Sequence, residues 1–447
     1  MRKVFLIAFL FIINVGFGQS QKDSVKTYTS IKSYFQSGKF SGRSRLYFMA
    51  TDNQKGLSDY QGLGYGAGLN YESPEIKGFS LKMGGYFILN LLGKDVTKID
   101  STTLSPSRYE LGLFDIENPS NPNLVRLENL SIKYRYKNSS AELGQFTPNF
   151  AFLNGQDGRM TPTMVKGLSI NTKPAKGLNL GLNMITKISP RSSLKWYSIG
   201  ESMSLYPQGR NEEGTKSNYV ASITSKNLLI VNADYSFRNK INISAENYYA
   251  KSLMNLAHLK AEYKDNSWFL GSMISFEKSL QPNVTGSYIR HNALAWSSQI
   301  SKNFSKNNLS LSYTNIGKQG RFLFPREWGR EPFYTFMPRE RVEGNGDVKA
   351  IKIGLARSLN KYQDLDFSYG RFYLTSPSNP ILNKYGMPSY DQLNISYKQK
   401  LHGVLDGFDY QILFVRKNNI SGETLEARYI FNKVNLNLLN VIINFKF

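Results

Sequence analysis

The chain has no cysteine, and that absence removes disulfides, thiol nucleophiles and cysteine-held metals together. It also rules out a lipid anchor attached through a thiol. Histidine is nearly as scarce, with His258, His291 and His402 the whole supply. His258 shares a strand phase with Lys260 and Glu262, and His402 lies in a polar turn. His291 opens the run HNALAW, with no serine or acid in a legible motif to complete a triad. A hydrolytic enzyme is therefore not expected, and no metal or cofactor signature is present. Acidic residues are short as well: 33 Asp and Glu stand against 56 Lys and Arg, a formal charge of +23. After residue 18 no apolar run approaches the ~20 residues that a membrane-spanning helix needs.

The first eighteen residues read as an export signal. Arg2 and Lys3 precede an apolar run from Val4 to Phe17, interrupted only by Asn14 and Gly16. That run is too short to span a bilayer, and Gly16 and Gly18 supply small residues for cleavage after Gly18. The expected organisation is a signal over 1–18, a short periplasmic lead over 19–39 and one domain over 40–447. Removing the charges of Arg2 and Lys3 from +23 leaves +21.

What fills the rest is period-two alternation. In NLLNVIINFKF (437–447), Leu439, Val441, Ile443, Phe445 and Phe447 share one face, and Asn440, Asn444 and Lys446 take the other. The same alternation recurs at Leu46 and Phe48 against Arg43, Arg45 and Tyr47. Leu130, Ile132, Tyr134 and Tyr136 alternate against Ser131, Lys133 and Arg135. Leu63, Tyr65, Ala67 and Leu69 alternate against a row of glycines. None of these runs holds the 3.6 period of an amphipathic helix. The 28 Tyr and 28 Phe suit strands and interfacial girdles, and a mean hydropathy of −0.39 suits a wall whose faces meet lipid and water in turn. The sequence thus predicts an all-β, transmembrane antiparallel β-barrel of about 18 strands, an even number being usual for the class. A barrel of that size encloses an aqueous lumen. Short polar links at 72–77, 137–139, 239–240 and 264–266 read as periplasmic hairpins. Long links at 93–108, 189–217, 317–347 and 376–391 read as extracellular loops.

An exported chain this basic is expected to meet anions. Outer-membrane lipid with lipopolysaccharide phosphates is one such partner, and small anionic or zwitterionic solutes are another. Nucleic acid is not expected, because no recognition module accompanies the charge. Arg43, Arg45, Lys133 and Arg135 fall on the polar phase and should point into the lumen. The segment AFLNGQDGRMTPTMVKG (151–167) has no strand period. It is expected to fold inward and narrow the lumen, with Arg159 near its tip. Lys187, Arg191, Lys195, Arg339 and Arg341 are further basic residues placed on loops. An arginine at a narrow, poorly hydrated point offers a forked donor that matches a carboxylate.

The chain resembles the OprD-type family of outer-membrane porins, in a Bacteroidetes-like branch. The resemblance rests on RYELGLFDIE (108–117), FLNGQDGRMTPTMVKGL (152–168), ISPRSSLKWYSIGESMSLYPQG (188–209), GREPFYTFMPRERVEG (329–344) and NKYGMPSYDQLNISY (383–397). These blocks fall in order across nearly the whole exported chain. It implies a monomeric or at most loosely trimeric eighteen-stranded barrel in a Gram-negative outer membrane. Such a barrel would hold a narrow pore for carboxylate-bearing solutes such as amino acids, small peptides and organic acids. It further implies a basic ladder on one side of the pore wall, with Arg159 in the narrowing loop and Arg43 and Arg45 on the first strand. A plugged transporter would need a domain that the lead to residue 39 cannot hold. A barrel with a structural role, or one passing fatty-acid-like solutes, is the alternative.

Overall fold

The computed structural model describes residues 30–118, 123–156, 158–218, 223, 225–282, 284, 287–339 and 341–447. The expected signal at 1–18, the beginning of the lead and Asp157 lie outside the described residues. Antiparallel strands form a single 18-stranded sheet closed on itself. They are β1 (Lys39–Asp52), β2 (Tyr60–Glu72), β3 (Phe79–Leu92), β4 (Leu124–Tyr136), β5 (Ser139–Phe146), β6 (Met164–Ala175), β7 (Leu178–Ser189), β8 (Leu228–Phe237) and β9 (Ile241–Ala250) in the first half. The second half holds β10 (Met254–Lys264), β11 (Trp268–Ser279), β12 (Ala293–Phe304), β13 (Asn307–Ile316), β14 (Val348–Asn360), β15 (Gln363–Tyr373), β16 (Tyr390–Lys400), β17 (Phe408–Asn419) and β18 (Leu436–Lys446). Each strand pairs with the next, and β18 returns to β1 with Lys446 opposite Arg43 and Asn437 opposite Asp52. Among the described residues no helix is long and apolar enough to cross a membrane. In a wall of strands, closure leaves no unpaired edge to hydrocarbon.

The alternation sets the two faces. Ile132, Leu143, Leu182, Ile243, Leu311 and Ile353 are exposed on the outside, whereas Tyr47, Asn183, Ser275, Ser297, Thr314 and Asn440 are buried on the inside. One end carries short turns, such as 137–138, 176–177, 305–306 and 361–362; the other carries 93–123, 147–163, 190–227 and 317–347. The long connections run further than the sequence suggested at 93–123 and 190–227, because turn-like composition continues up to the first period-two residues of β4 and β8. A short helix, α1 (Ile31–Gln36), begins with a capping box from Ser30. It is tied to the short-turn end by hydrogen bonds from Tyr71 Oη to the Phe35 carbonyl (2.9 Å) and from Tyr34 Oη to Ser73 Oγ (2.8 Å).

The glycines of β2 do more than alternate. Gly62, Gly64, Gly66 and Gly68 form an inward row with no side chains. A Cβ on Gly64 would lie 3.3 Å from the Phe114 ring and 3.5 Å from Met160, so loops 93–123 and 147–163 lean on this bare wall. A Cβ on Gly66 would lie 2.6 Å from the Tyr86 ring, and one on Gly68 would lie 2.4 Å from the Gly85 carbonyl oxygen. Backbone cannot yield as a flexible side chain can. Gly68→Ala should therefore destabilise the barrel, on the order of 1–3 kcal/mol for overpacking. Gly85→Ala, whose Cβ would meet its nearest atom at an ordinary 3.6 Å, should fold like the parent. The heat-modifiable fraction and the urea midpoint of refolded protein check the contrast; equal values for the two variants would contradict the close-approach argument.

Candidate functional site

The lumen is narrowed by loops that the strands aim inward. After β5 ends at Phe146, the chain turns into the barrel and folds on itself, with Phe150 N–H on the Leu153 carbonyl (2.8 Å) and Gly155 N–H on the Pro148 carbonyl (3.1 Å). Phe152 is the anchor. It is fully buried among Tyr248, His258, Phe322, Phe324 and Phe333, with ring centroids 5.1–6.1 Å away. Fully burying an aromatic of this size is worth roughly 1.5–3 kcal/mol. This aromatic cluster packs against the β9 and β10 side of the lumen.

Loop 147–163 is latched to loop 317–347 as well. Asn154 donates from its backbone N–H to the Trp328 carbonyl (3.1 Å) and from Nδ2 to the Arg330 carbonyl (2.9 Å), and its Oδ1 accepts from the Arg330 N–H (3.0 Å). Thr163 Oγ1 donates to the Glu327 carbonyl at 2.9 Å. Gly329 allows the approach, since a Cβ there would stand 2.8 Å from the Asn154 nitrogen.

Basic residues from β1 and three loops converge beside this latch. Arg45 Nε donates to Asn444 Oδ1 (2.7 Å) and its Nη1 to the Arg159 carbonyl (2.5 Å). Arg339 Nη2 donates to the Tyr47 hydroxyl and to Asn440 Oδ1 at 2.7 Å. Arg339 holds a φ of +87°, a left-handed backbone that is strained for a side chain of this size. Arg191 Nε donates to the Tyr206 hydroxyl at 3.2 Å, and Arg341 Nη1 to the Arg326 carbonyl at 3.4 Å. Arg43 donates from Nη2 to both carboxylate oxygens of Glu128 at 2.8 Å, with its guanidinium 4.6 Å over the Tyr86 ring. A register shift in β4 opposite Gly84 and Gly85 leaves Glu128 as the extra residue, and this bulge turns it toward Arg43.

Arg159 does not project into open lumen as its place in the sequence suggested. It is 6% exposed and donates from Nη1 to its own neighbour, the Gly158 carbonyl, at 2.8 Å. Its Nε packs beneath loop 93–123, where a Cβ on Gly112 would lie 3.2 Å away. Burial first, then the charges of Arg339 and Arg191, push its pKa down. Its charge thus lies behind the surface, while its carbonyl fixes Arg45.

Other expected residues lie elsewhere. Lys133 and Arg135 are on the inward phase of β4 but near the short-turn end, and Arg135 pairs with Glu75 at 3.3 Å on the rim. Lys187 is not on a loop; it belongs to β7 and is exposed on the outward face, because Ile185 and Ile188 on either side are buried inward. Lys195 is exposed and paired with Glu117 at 3.1 Å. Arg126 and the acids of loop 317–347 were not singled out in the sequence. Arg126 is buried where short β5 leaves upper β4 without a partner strand. Its Nη2 reaches the Pro162 carbonyl (3.0 Å) and the Ser189 carbonyl (3.5 Å). Its Nη1 reaches the carbonyls of Pro190 and Ser193 and Thr161 Oγ1, each at 3.4 Å. Extending the alternation of β4 back through LVRLENL would have found it. Glu343 pairs with Arg326 at 2.8 Å, and Glu331 accepts from the N–H groups of Val342 and Glu343 at 3.0 Å. Burial raises the pKa of Glu327 and of Glu331 to about 7. No contact partner of these loop residues could be read from one-dimensional spacing.

The latch makes a local prediction. Asn154→Ala removes both side-chain hydrogen bonds to Arg330, each worth a net of about 0.5–1.5 kcal/mol. Amide hydrogen exchange over residues 150–156 should speed up by about tenfold or more, while that of β9 and β10 stays slow. Unchanged exchange in the loop would show that the aromatic cluster alone holds it.

The fold has counterparts among known proteins. A model of the outer membrane porin, OprD family, matches residues 33–337. Solved structures share the fold at low identity. Pseudomonas aeruginosa OccK9 (OpdG) has 13% identity and a TM-score of 0.72, over 92% of this chain and 99% of that one. Pseudomonas aeruginosa OccD3 (OpdP) has 13% identity and a TM-score of 0.69 over 93% and 92%. Pseudomonas aeruginosa OpdK, solved with vanillate, has 13% identity and a TM-score of 0.69 over 93% and 99%. A search of the curated proteins found no match. With its family signature running from α1 into loop 317–347 and an 18-stranded closed wall, the chain belongs to the OprD family of outer-membrane porins.

Proposed function

We propose that this porin passes small carboxylate-bearing or anionic solutes, among them amino acids, small peptides and organic acids, by passive diffusion through a narrow aqueous channel. The reading is carried by one observation: Arg45, Arg191, Arg339 and Arg341 meet beside the inward loops, with Arg159 buried behind them. Hydrogen bonds to Asn444, Asn440, Tyr47, Tyr206 and backbone carbonyls help to orient these guanidinium groups, so that a solute carboxylate would find donors already aimed. Glu128 offsets the charge of Arg43. The long loops would face the exterior and the short turns the periplasm. Vanillate in the OpdK structure is a small aromatic carboxylate, the kind of solute such a cluster would hold.

In planar bilayers at low salt the reversal potential should report anion preference. The preference should fade above ~0.1 M, where the Debye length drops to ~10 Å. Arg45→Gln and Arg339→Gln should each lower the anion-to-cation ratio by about fivefold. A unit charge about 4 Å from a passing ion is worth about 1 kcal/mol even in water. In liposome swelling, vanillate should enter faster than its uncharged methyl ester in the parent, and not in the double variant. Cation preference in the parent, or equal entry of acid and ester, would overturn the reading.

Glu327 and Glu331 add a pH dependence. With pKa values raised to about 7, both are largely ionised at pH 8 and largely protonated at pH 5. Lowering the pH removes negative charge beside the arginines, so anion preference should rise between pH 8 and 5. Glu327→Gln with Glu331→Gln should flatten that rise; a rise of the same size in the variant would assign it to other groups.

A further inference from the structure

The outward face of β6 and β7 carries a cation pair that the pore does not use. Lys166 and Lys187 are directly opposite each other across the two strands. Like charges in that position repel. The pairing is built in by a bulge. Lys166 pairs with Lys187 and Gly167 with Ile185, which leaves Thr186 as the extra residue, its Oγ1 donating to the Lys166 carbonyl at 3.2 Å. The extra residue lets Ile185 and Ile188 both face inward while Lys187 turns out beside Lys166. Among the described residues neither lysine has an ion pair. Lys166 Nζ lies 4.5 Å over the Trp196 ring. The acids nearby are already engaged: Glu117 holds Lys195 at 3.1 Å, and Glu201 accepts from Ser198 N–H and Oγ at 3.0 and 2.8 Å. Glu201 does sense the charge of Lys187. Gln145, opposite Lys166 on β5, is neutral.

Position completes the case. Toward the short-turn end the outward residues of these strands are Leu168, Ile170, Leu180, Leu182 and Met184, an apolar surface for acyl chains. Toward the long-loop end comes loop 190–227 with Trp196. Cations without an ion pair at the border of the apolar band lie at headgroup depth, next to an interfacial aromatic.

We propose that Lys166 and Lys187 together hold a phosphate of a phosphorylated glycolipid headgroup, that of lipopolysaccharide, in the outer leaflet. A phosphate oxygen between the two ammonium groups would turn their repulsion into attraction, while its acyl chains cover the leucines below. The inference rests on membrane placement and charge, and stands apart from the solute the pore admits.

Native mass spectrometry of the detergent-solubilised porin, titrated with bisphosphorylated lipid A or its enzymatically dephosphorylated form, tests it. The parent should retain bisphosphorylated lipid A far better than the dephosphorylated form. The Lys166→Gln/Lys187→Gln protein, with the repulsion also relieved, should fold and bind about 30-fold more weakly. Lys278→Gln, which removes an exposed cation on β11, should bind like the parent. Inorganic phosphate at millimolar concentration should fail to displace the lipid. Equal retention of both lipids by the parent needs no variant to overturn the proposal. Undiminished binding by the double variant would overturn it too, and full displacement by inorganic phosphate would reassign the pair to free phosphate.

Discussion

In hydrocarbon a backbone N–H or carbonyl has no water to fall back on, and each one left unpaired costs several kcal/mol. Every strand of this wall therefore needs a neighbour on both sides, and the pairing of β1 with β18 is what removes the last edge. Much else follows from that closure. A closed ladder forces side chains alternately outward and inward, which separates leucines and isoleucines facing lipid from serines, asparagines and arginines facing water. With 18 strands the enclosed space is too wide for wall side chains alone to fill. The chain fills part of it by sending its long loops inward, and the inward glycine row of β2 gives those loops a flat surface to rest on.

A loop inside a barrel must satisfy its own polar groups and bury its apolar ones. Loop 147–163 meets both demands, through Phe152 on one side and Asn154 on the other. The short β5 that releases this loop leaves a gap in the wall, and Arg126 closes it by donating to carbonyls of two loops. An arginine suits that place because its forked donors reach several acceptors at once and stay charged. Arg45, Arg191 and Arg339 are likewise held by hydrogen bonds to side chains of the wall and loops around them.

The legibility of the sequence differs sharply between wall and lumen. Strand phase was readable at Arg43, Arg45, Leu130 and Leu439, because period two is a property of the local backbone. The segment around Arg159 has no strand period and folds inward, yet the Arg159 guanidinium is buried under loop 93–123, a contact across 45 residues or more of chain that no local pattern encodes. Lys187 groups in the sequence with the loop residues Arg191 and Lys195, yet it belongs to β7. The bulge at Thr186 breaks the alternation that would have exposed its true phase.

By itself, the sequence determined the class of architecture, the approximate strand number, the short and long ends and the existence of inward basic residues. Each of these depends on hydrophobic period or turn composition, which act over a few residues. Only the tertiary structure decided which arginines share a site and which face solvent. Arg45 binds the carbonyl of Arg159 from 114 residues away, and Arg339 reaches Asn440 from 101 residues away. Such contacts depend on how loops fold within the closed wall, and closure is a condition on the whole chain rather than on any segment of it.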